Sequence, residues 1–235
     1  MPALKRIGHK GADLIAPGNT LASFDAALAA GVDMVEFDVL PEHADGSGRL
    51  VLAHDYVAAA RREPLTLEQG LAHFAQDAWE GIELDVDLKT SGYEQRVVDA
   101  LRDFGLAQRA LISTMEQESL RVIRAAAPEI RLGWSVPKLR RDYMANPFTR
   151  VPALVGAQYI RTVLPGQAAR AIRAGRIDAI MAHWVLVTPR LARAVEQAGG
   201  ELYVWTVDDA TRIAKLDALG VTGIITNDPR LFATA

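Results

Sequence analysis

Residues 34–55 read MVEFDVLPEHADGSGRLVLAHD, and the strand count of the whole chain depends on how they are parsed. The run 34–40 is apolar apart from Glu36 and Asp38, two residues apart. Side chains on a strand alternate faces, so both carboxylates share one side while Val35, Phe37 and Val39 take the other. Converging carboxylates repel each other, and a hard divalent cation is the simplest group that holds them together. The plainer account is an edge strand whose wet face carries two acids. A second apolar run, 49–54, closes in His54-Asp55. The Asp45-Gly46-Ser47-Gly48 link before it is too short for a crossover helix, so this run is expected as a hairpin excursion from its predecessor.

Strand-like segments recur at 5–9, 34–40, 82–88, 110–113, 130–135, 178–182, 201–207 and 223–226, with helical patterns between most of them. Asn19-Thr20 opens a helix with Leu21, Phe24 and Leu28 on one stripe, ended by Gly31. Thr66-Leu67-Glu68-Gln69 has the capping-box pattern, and Thr188-Pro189 sets a cap before a proline in the first turn. Asp208-Asp209 opens the last long helix, which stops at Gly220. Eight strands joined by crossovers is the count of a (β/α)8 TIM barrel, here with a short hairpin excursion after strand two, and residues 1–235 are read as a single domain. The longest stretch expected to be irregular is 136–165, with prolines at 137, 147, 152 and 165. Its Lys138-Leu139-Arg140-Arg141 run is read as a solvated face and the whole stretch as a candidate lid. Tyr159, Ile160 and Leu164 within it are read as packing residues.

Composition narrows the function classes. A chain of 235 residues, 50% of them apolar, can bury one sizeable core. A net charge of −3 argues against a nucleic-acid partner. The absence of cysteine excludes disulfides, thiolate catalysis and Cys-ligated zinc. No apolar h-region precedes the first strand and no run reaches membrane-spanning length, so a soluble, cytoplasmic chain without membrane insertion is expected.

Active sites of such barrels lie at the carboxyl ends of the strands. His9 belongs at that end of strand one, Glu36 and Asp38 of strand two, and Asp87 of strand three. In Glu83-Leu84-Asp85-Val86-Asp87-Leu88-Lys89 the charged residues share one face, and Lys89 follows where the strand must emerge. Three carboxylates, two histidines and a lysine are therefore expected at one mouth. His43 and His73 read as incidental, whereas His183 is placed near the same mouth.

The order His9-Lys10-Gly11, Asn19-Thr20, Glu36-x-Asp38, His54-Asp55, Asp87-x-Lys89, Trp205-Thr206-Val207 and Gly223-Ile224-Ile225-Thr226-Asn227-Asp228-Pro229 resembles the glycerophosphodiester phosphodiesterase family, essentially end to end. The resemblance implies a TIM-type barrel that hydrolyses a small-molecule glycerophosphodiester to glycerol 3-phosphate and an alcohol. It implies one divalent cation, Mg2+ or Ca2+, on Glu36, Asp38 and Asp87. His9 and His54 would be the acid–base pair, with Lys10, Lys89 and Trp205 contacting substrate. A metal neutralises an anionic diester while one imidazole deprotonates the nucleophile and another protonates the leaving oxygen. Asp55 either orients His54 or caps the following turn. The chain departs from the family pattern at Lys10 (usually Arg), Gly18 (usually Glu) and Asp87 (usually Glu, although related sphingomyelinase D enzymes use Asp), with Asp85 as the reserve ligand. Lys10 and Gly18 are read as one compensated change. A lysophospholipase D-type activity and a phosphodiester-binding barrel without turnover are the alternatives. Oligomeric state is not readable.

Overall fold

Eight parallel strands close on themselves in the computed structural model, which describes residues 3–138 and 147–233. They are β1 (Lys5–Gly8), β2 (Met34–Pro41), β4 (Glu83–Leu88), β5 (Ala110–Thr114), β6 (Arg131–Val136), β7 (Ala179–His183), β8 (Glu201–Trp205) and β9 (Gly223–Thr226). Pairing runs in chain order around the ring, and β1 meets both β2 and β9 to close it. The remaining strand, β3 (Leu50–Val51), lies antiparallel on the end of β2 through Leu40↔Val51 and Pro41↔Leu50. The hairpin excursion is therefore present, but its strand covers two residues of the run expected.

The crossovers are α1 (Leu21–Ala29), then α2 (Tyr56–Arg61) with α3 (Leu67–Phe74), α4 (Glu94–Asp103), α5 (Gln117–Ala126), α6 (Pro147–Arg173), α7 (Pro189–Glu196) and α8 (Ala210–Asp217). Their starts follow the capping chemistry of the sequence. Thr20, Thr66, Thr188 and Asp209 each accept a hydrogen bond from a backbone N–H of the first turn, and Gln69 completes the box at Thr66. Among the described residues no helix is long and apolar enough to cross a membrane.

Helix α6 overturns the reading of 136–165 as irregular over 147–165, and 139–146 lie outside the described residues. Ile160, Leu164, Ala168, Ala171 and Ile172 recur at helical spacing and pack inward, which favours a helix despite the prolines. Pro147 stands in the first turn, where a missing N–H costs nothing, and the buried stripe offsets the donor lost at Pro165. Leu164 is buried as expected, but Tyr159 is 69% exposed. Lys138 pairs with Glu116 at 2.7 Å, and the rest of the basic run, 139–141, lies outside the described residues.

Inside the barrel the residues form layers. At the amino-terminal end Lys5, Glu83, Arg131 and Glu201, each first in its strand, form an ionic ring (Lys5–Glu83 2.7 Å, Arg131–Glu201 3.2 Å). Above it Ile7, Met34, Leu111, Ala179, Met181, Tyr203 and Ile225 fill the middle. Gly133 belongs to this layer because a Cβ there would stand 2.9 Å from Met181 Cγ. The main core lies outside the strands, where Phe37 of β2 stacks on Phe74 of α3 at 5.2 Å and Phe24 of α1 meets Phe74 at 4.8 Å. This leaves the top layer for polar residues.

Candidate active site

Register sets the acidic cluster. β2 and β4 pair with Glu36 beside Asp85 and Asp38 beside Asp87, so four carboxylates stand in two rows on the inner face. Oxygens of Glu36, Asp38 and Asp87 lie within 4.8 Å of one another. Glu36 and Asp38 are buried. Burial, then the charge of Asp38, pushes the Glu36 carboxyl well above the usual carboxylate range. Burial opposes ionisation of Asp38 too, but Lys89, His54 and His9 outweigh it and hold that carboxyl below the usual range. Asp87 is raised by burial against the pull of Lys89. The Lys89 ammonium sits in contact with both Asp38 and Asp87, and these acids keep it charged against its own burial. Asp38 Oδ1 is buried, and the Lys89 ammonium is its contact. An all-oxygen donor set of mutually repelling acids fits a hard divalent cation.

The second oxygen of Asp38 is held by Asn19. Asn19 donates Nδ2 to Asp38 Oδ2 at 2.8 Å and accepts from the Asp38 N–H at 3.1 Å. Asn19 manages this with φ of +59°, a left-handed conformation that asparagine tolerates better than most residues. Its place in Asn19-Thr20 reads from sequence as helix punctuation, and only the fold reveals the clamp. Asp85, one row deeper, is 1% exposed, and burial pushes its carboxyl up to about 8.

His9, just past β1, carries its own support. Asp208 accepts from Asn227 Nδ2 at 2.7 Å and from the Asn227 backbone N–H at 2.8 Å. A carboxylate can only accept, so the Asn227 amide must turn its oxygen to His9, whose Nδ1 lies 2.5 Å away. Nδ1 is therefore the protonated nitrogen, and the Nε2 lone pair points inward, 3.8 Å from Glu36 Oε2. Burial, then the charge of Lys10, lowers the His9 imidazole to about 4, so it is neutral near pH 7. Neither Asn227 nor Asp208 stands out in the sequence except as part of the closing motif and a helix start.

His54 leaves the short β3 and is 55% exposed. Asp55 serves both readings at once. Its Oδ1 accepts from Ala58 N at 2.7 Å as the cap of α2, and its Oδ2 lies 3.2 Å from His54 Nδ1. A cavity of about 160 Å³ is lined by His9, Glu36, His54, Asp87, Lys89 and Trp205, with Asp85 at its base. Trp205 is fixed by its Nε1–H donating to Met181 O at 2.8 Å and by His183 packed edge-on at 5.1 Å. Lys10 is not among the lining residues: its ammonium turns to Asp13 at 2.6 Å, while its backbone N–H donates to Glu36 Oε2 at 2.8 Å. His73 pairs with Asp25 at 2.8 Å on the helical exterior.

Residues 9–68 and 65–231 match the profile of the glycerophosphoryl diester phosphodiesterase family. A glycerophosphodiester phosphodiesterase of Caldanaerobacter subterraneus subsp. tengcongensis is 24% identical over 265 residues, covering 95% of this chain and 93% of that protein. The crystal structure of glycerophosphodiester phosphodiesterase from Agrobacterium tumefaciens superposes with a TM-score of 0.71 at 20% identity, over 99% of this chain and 98% of that one. An Oleispira antarctica phosphodiesterase, solved with its product sn-glycerol-3-phosphate, superposes with a TM-score of 0.70 at 20% identity, over 98% and 96% of the two chains. With the profile matched from His9 to beyond the closing motif, the chain belongs to the glycerophosphoryl diester phosphodiesterase family.

Proposed function

We propose that this chain hydrolyses glycerophosphodiesters to glycerol 3-phosphate and an alcohol, with His9 and His54 as its acid–base pair. Glu36, Asp38 and Asp87 would hold one divalent cation, Mg2+ or Ca2+. The observation that carries the reading is the convergence of two imidazoles, Glu36, Asp87 and Lys89 on one cavity, with Asp38 completing the acidic cluster beside it. A bound cation would offset the diester's negative charge. The rest falls to side chains of the chain. His9, neutral and with Nε2 free to accept, takes the proton of the attacking hydroxyl. His54, backed by Asp55 and open to solvent, gives a proton to the leaving oxygen. Lys89 supplies further positive charge to the phosphate, and Trp205 forms the wall.

A second reading has its own observation. Helix α2, directly after His54, buries none of its side chains, and it exposes Tyr56 and Val57 (64%) at the end of the barrel where Leu14 (62%) also stands free. Such an apolar lip suits the acyl chain of a lysophospholipid. Purified protein offered glycerophosphocholine, glycerophosphoethanolamine and lysophosphatidylcholine with Mg2+ or Ca2+ separates the readings. Glycerol 3-phosphate release supports the first and lysophosphatidic acid the second; binding without turnover sinks both. His9→Ala and His54→Ala should each lose about 10²–10⁴ in rate.

A further inference from the structure

A cavity larger than the one at the barrel mouth lies elsewhere in the molecule. The helix ring is packed on either side, α4 against α5 and α6 against α7, and opens between α5 and α6 into a cleft of about 690 Å³. That is the size of a small-molecule site, roughly 300–1,000 Å³. Its floor is Trp134, whose neighbours Arg131, Gly133 and Ser135 take the inner face of β6, so the indole stands on the outer face and is only partly covered. Leu120, Ala171 and Ile177 continue the floor.

The walls are basic. α5 brings Arg121 and Arg124 and the far side brings Arg170 and Arg176. Arg121 is held by Glu118 and Arg124 by Asp178, which fixes the directions of both guanidiniums. Arg124 Nε is buried with no partner. Arg170 and Arg176 are exposed and have no acidic partner among the described residues. Four guanidiniums thus face two carboxylates in a chain whose net charge is −3. Arginine forks match phosphate oxygens and stack on rings, and an indole floor suits a flat apolar body.

We propose that the α5–α6 cleft is a second ligand site, separate from the barrel mouth, that binds an organic phosphate of mononucleotide size. The phosphate lies among the arginines and the ring on Trp134. The probes are AMP and inorganic phosphate, titrated calorimetrically into the full chain and into the Arg170→Glu/Arg176→Glu double variant, with glycerol 3-phosphate as competitor for the barrel mouth. AMP should bind saturably, more tightly than inorganic phosphate, and at least about 10-fold more weakly to the double variant, the loss expected for charge-assisted hydrogen bonds. Trp134→Ala should weaken AMP while leaving inorganic phosphate unchanged. Hydrolysis of glycerophosphocholine by the double variant should match wild type, because neither arginine reaches the mouth. Absence of saturable binding at millimolar AMP overturns the proposal. So does binding that survives charge reversal, or that glycerol 3-phosphate displaces in full.

Discussion

Asp13 grips the Lys10 ammonium at 2.6 Å with one oxygen and accepts the Gly18 N–H at 2.7 Å with the other. The carboxylate occupies the space a side chain at 18 would need: a Cβ there would lie 2.6 Å from Asp13 Oδ1 and 2.8 Å from Lys10 Cβ. The acid beside Lys10 is therefore at 13, so Lys10 and Gly18 are coupled through a third residue that pattern matching gave no reason to weigh. Gly18→Glu should cost about 1–3 kcal/mol in denaturant melts and bring no synergy with Lys10→Arg. Asp13→Asn keeps the acceptor for Gly18 but frees the ammonium. KM for an anionic diester should then fall by about 2–5-fold with kcat unchanged, the scale of one partly exposed ion pair; a rise in KM would mean that Asp13 aims Lys10 at substrate. The His9 tautomer is set by Asn227. Asn227→Ala should lower kcat by about 10-fold or more with little change in KM, and nitrogen NMR should find the His9 proton redistributed to Nε2. An unchanged tautomer would end that assignment. Glu36, Asp87, Lys89 and both histidines line one cavity, with Asp38 beside them in the acidic cluster, as charge and strand alternation lead one to expect, and Trp205, expected from the resemblance, lines it too. Their supports Asn19, Asn227 and Asp208 were hidden because a hydrogen-bonding residue looks in sequence like a turn or cap residue.

Helix α2 illustrates how one short element carries chemistry without belonging to the core. It follows His54, has no fully buried residue although Ala59 packs against Leu40, Val51 and Ala53, and is tied down by Asp55 at its start and by Arg62, which donates to Gly18 O just past its end. Its order therefore depends on the cap, while global stability does not. Asp55→Ala should speed amide hydrogen exchange in α2 and lower kcat, yet leave the melting temperature almost unmoved. Asp55→Asn, which still caps, should keep exchange slow while losing the charge opposite His54. If both variants keep wild-type turnover, Asp55 only caps. Helices α1, α3, α7 and α8 were legible from their caps because threonine, aspartate and proline act within a single turn. Helix α6 was not: its prolines argue locally for a break, whereas the stripe from Ile160 to Ile172 acts only once a barrel exists for it to pack against. The run 49–54 was overextended for the reverse reason, since an apolar run is long enough for a strand but β2 offers pairing to only two of its residues.

Across the whole molecule the barrel was readable because eight strand signals at regular spacing leave few closed topologies, and the register then follows from which faces are apolar. The consequence of closure that sequence does not state is vertical stacking: an ionic ring below, an apolar plug, and carboxylates in the layer above it. Asp85 bears this most directly, sealed between the plug and Asp87 with its carboxyl raised to about 8 from an ordinary 3.8. In the window between those values the folded chain keeps a proton that the unfolded chain has already released. Stability is then lost as pH rises through that window, by up to about 1.4 kcal/mol per pH unit for one such group. His9 works in the opposite direction, since its folded value of about 4 lies below the ordinary 6.5, but it acts only below that ordinary value. The interval from pH 6.5 to 8 therefore isolates the acids. In chelator, to keep divalent ions from masking the effect, the melting temperature should be higher at pH 6.5 than at pH 8. Asp85→Asn, an amide of the same shape with no charge to bury, should flatten that slope and raise the melting temperature at pH 8. A wild-type slope in Asp85→Asn would place the protonation elsewhere in the cluster.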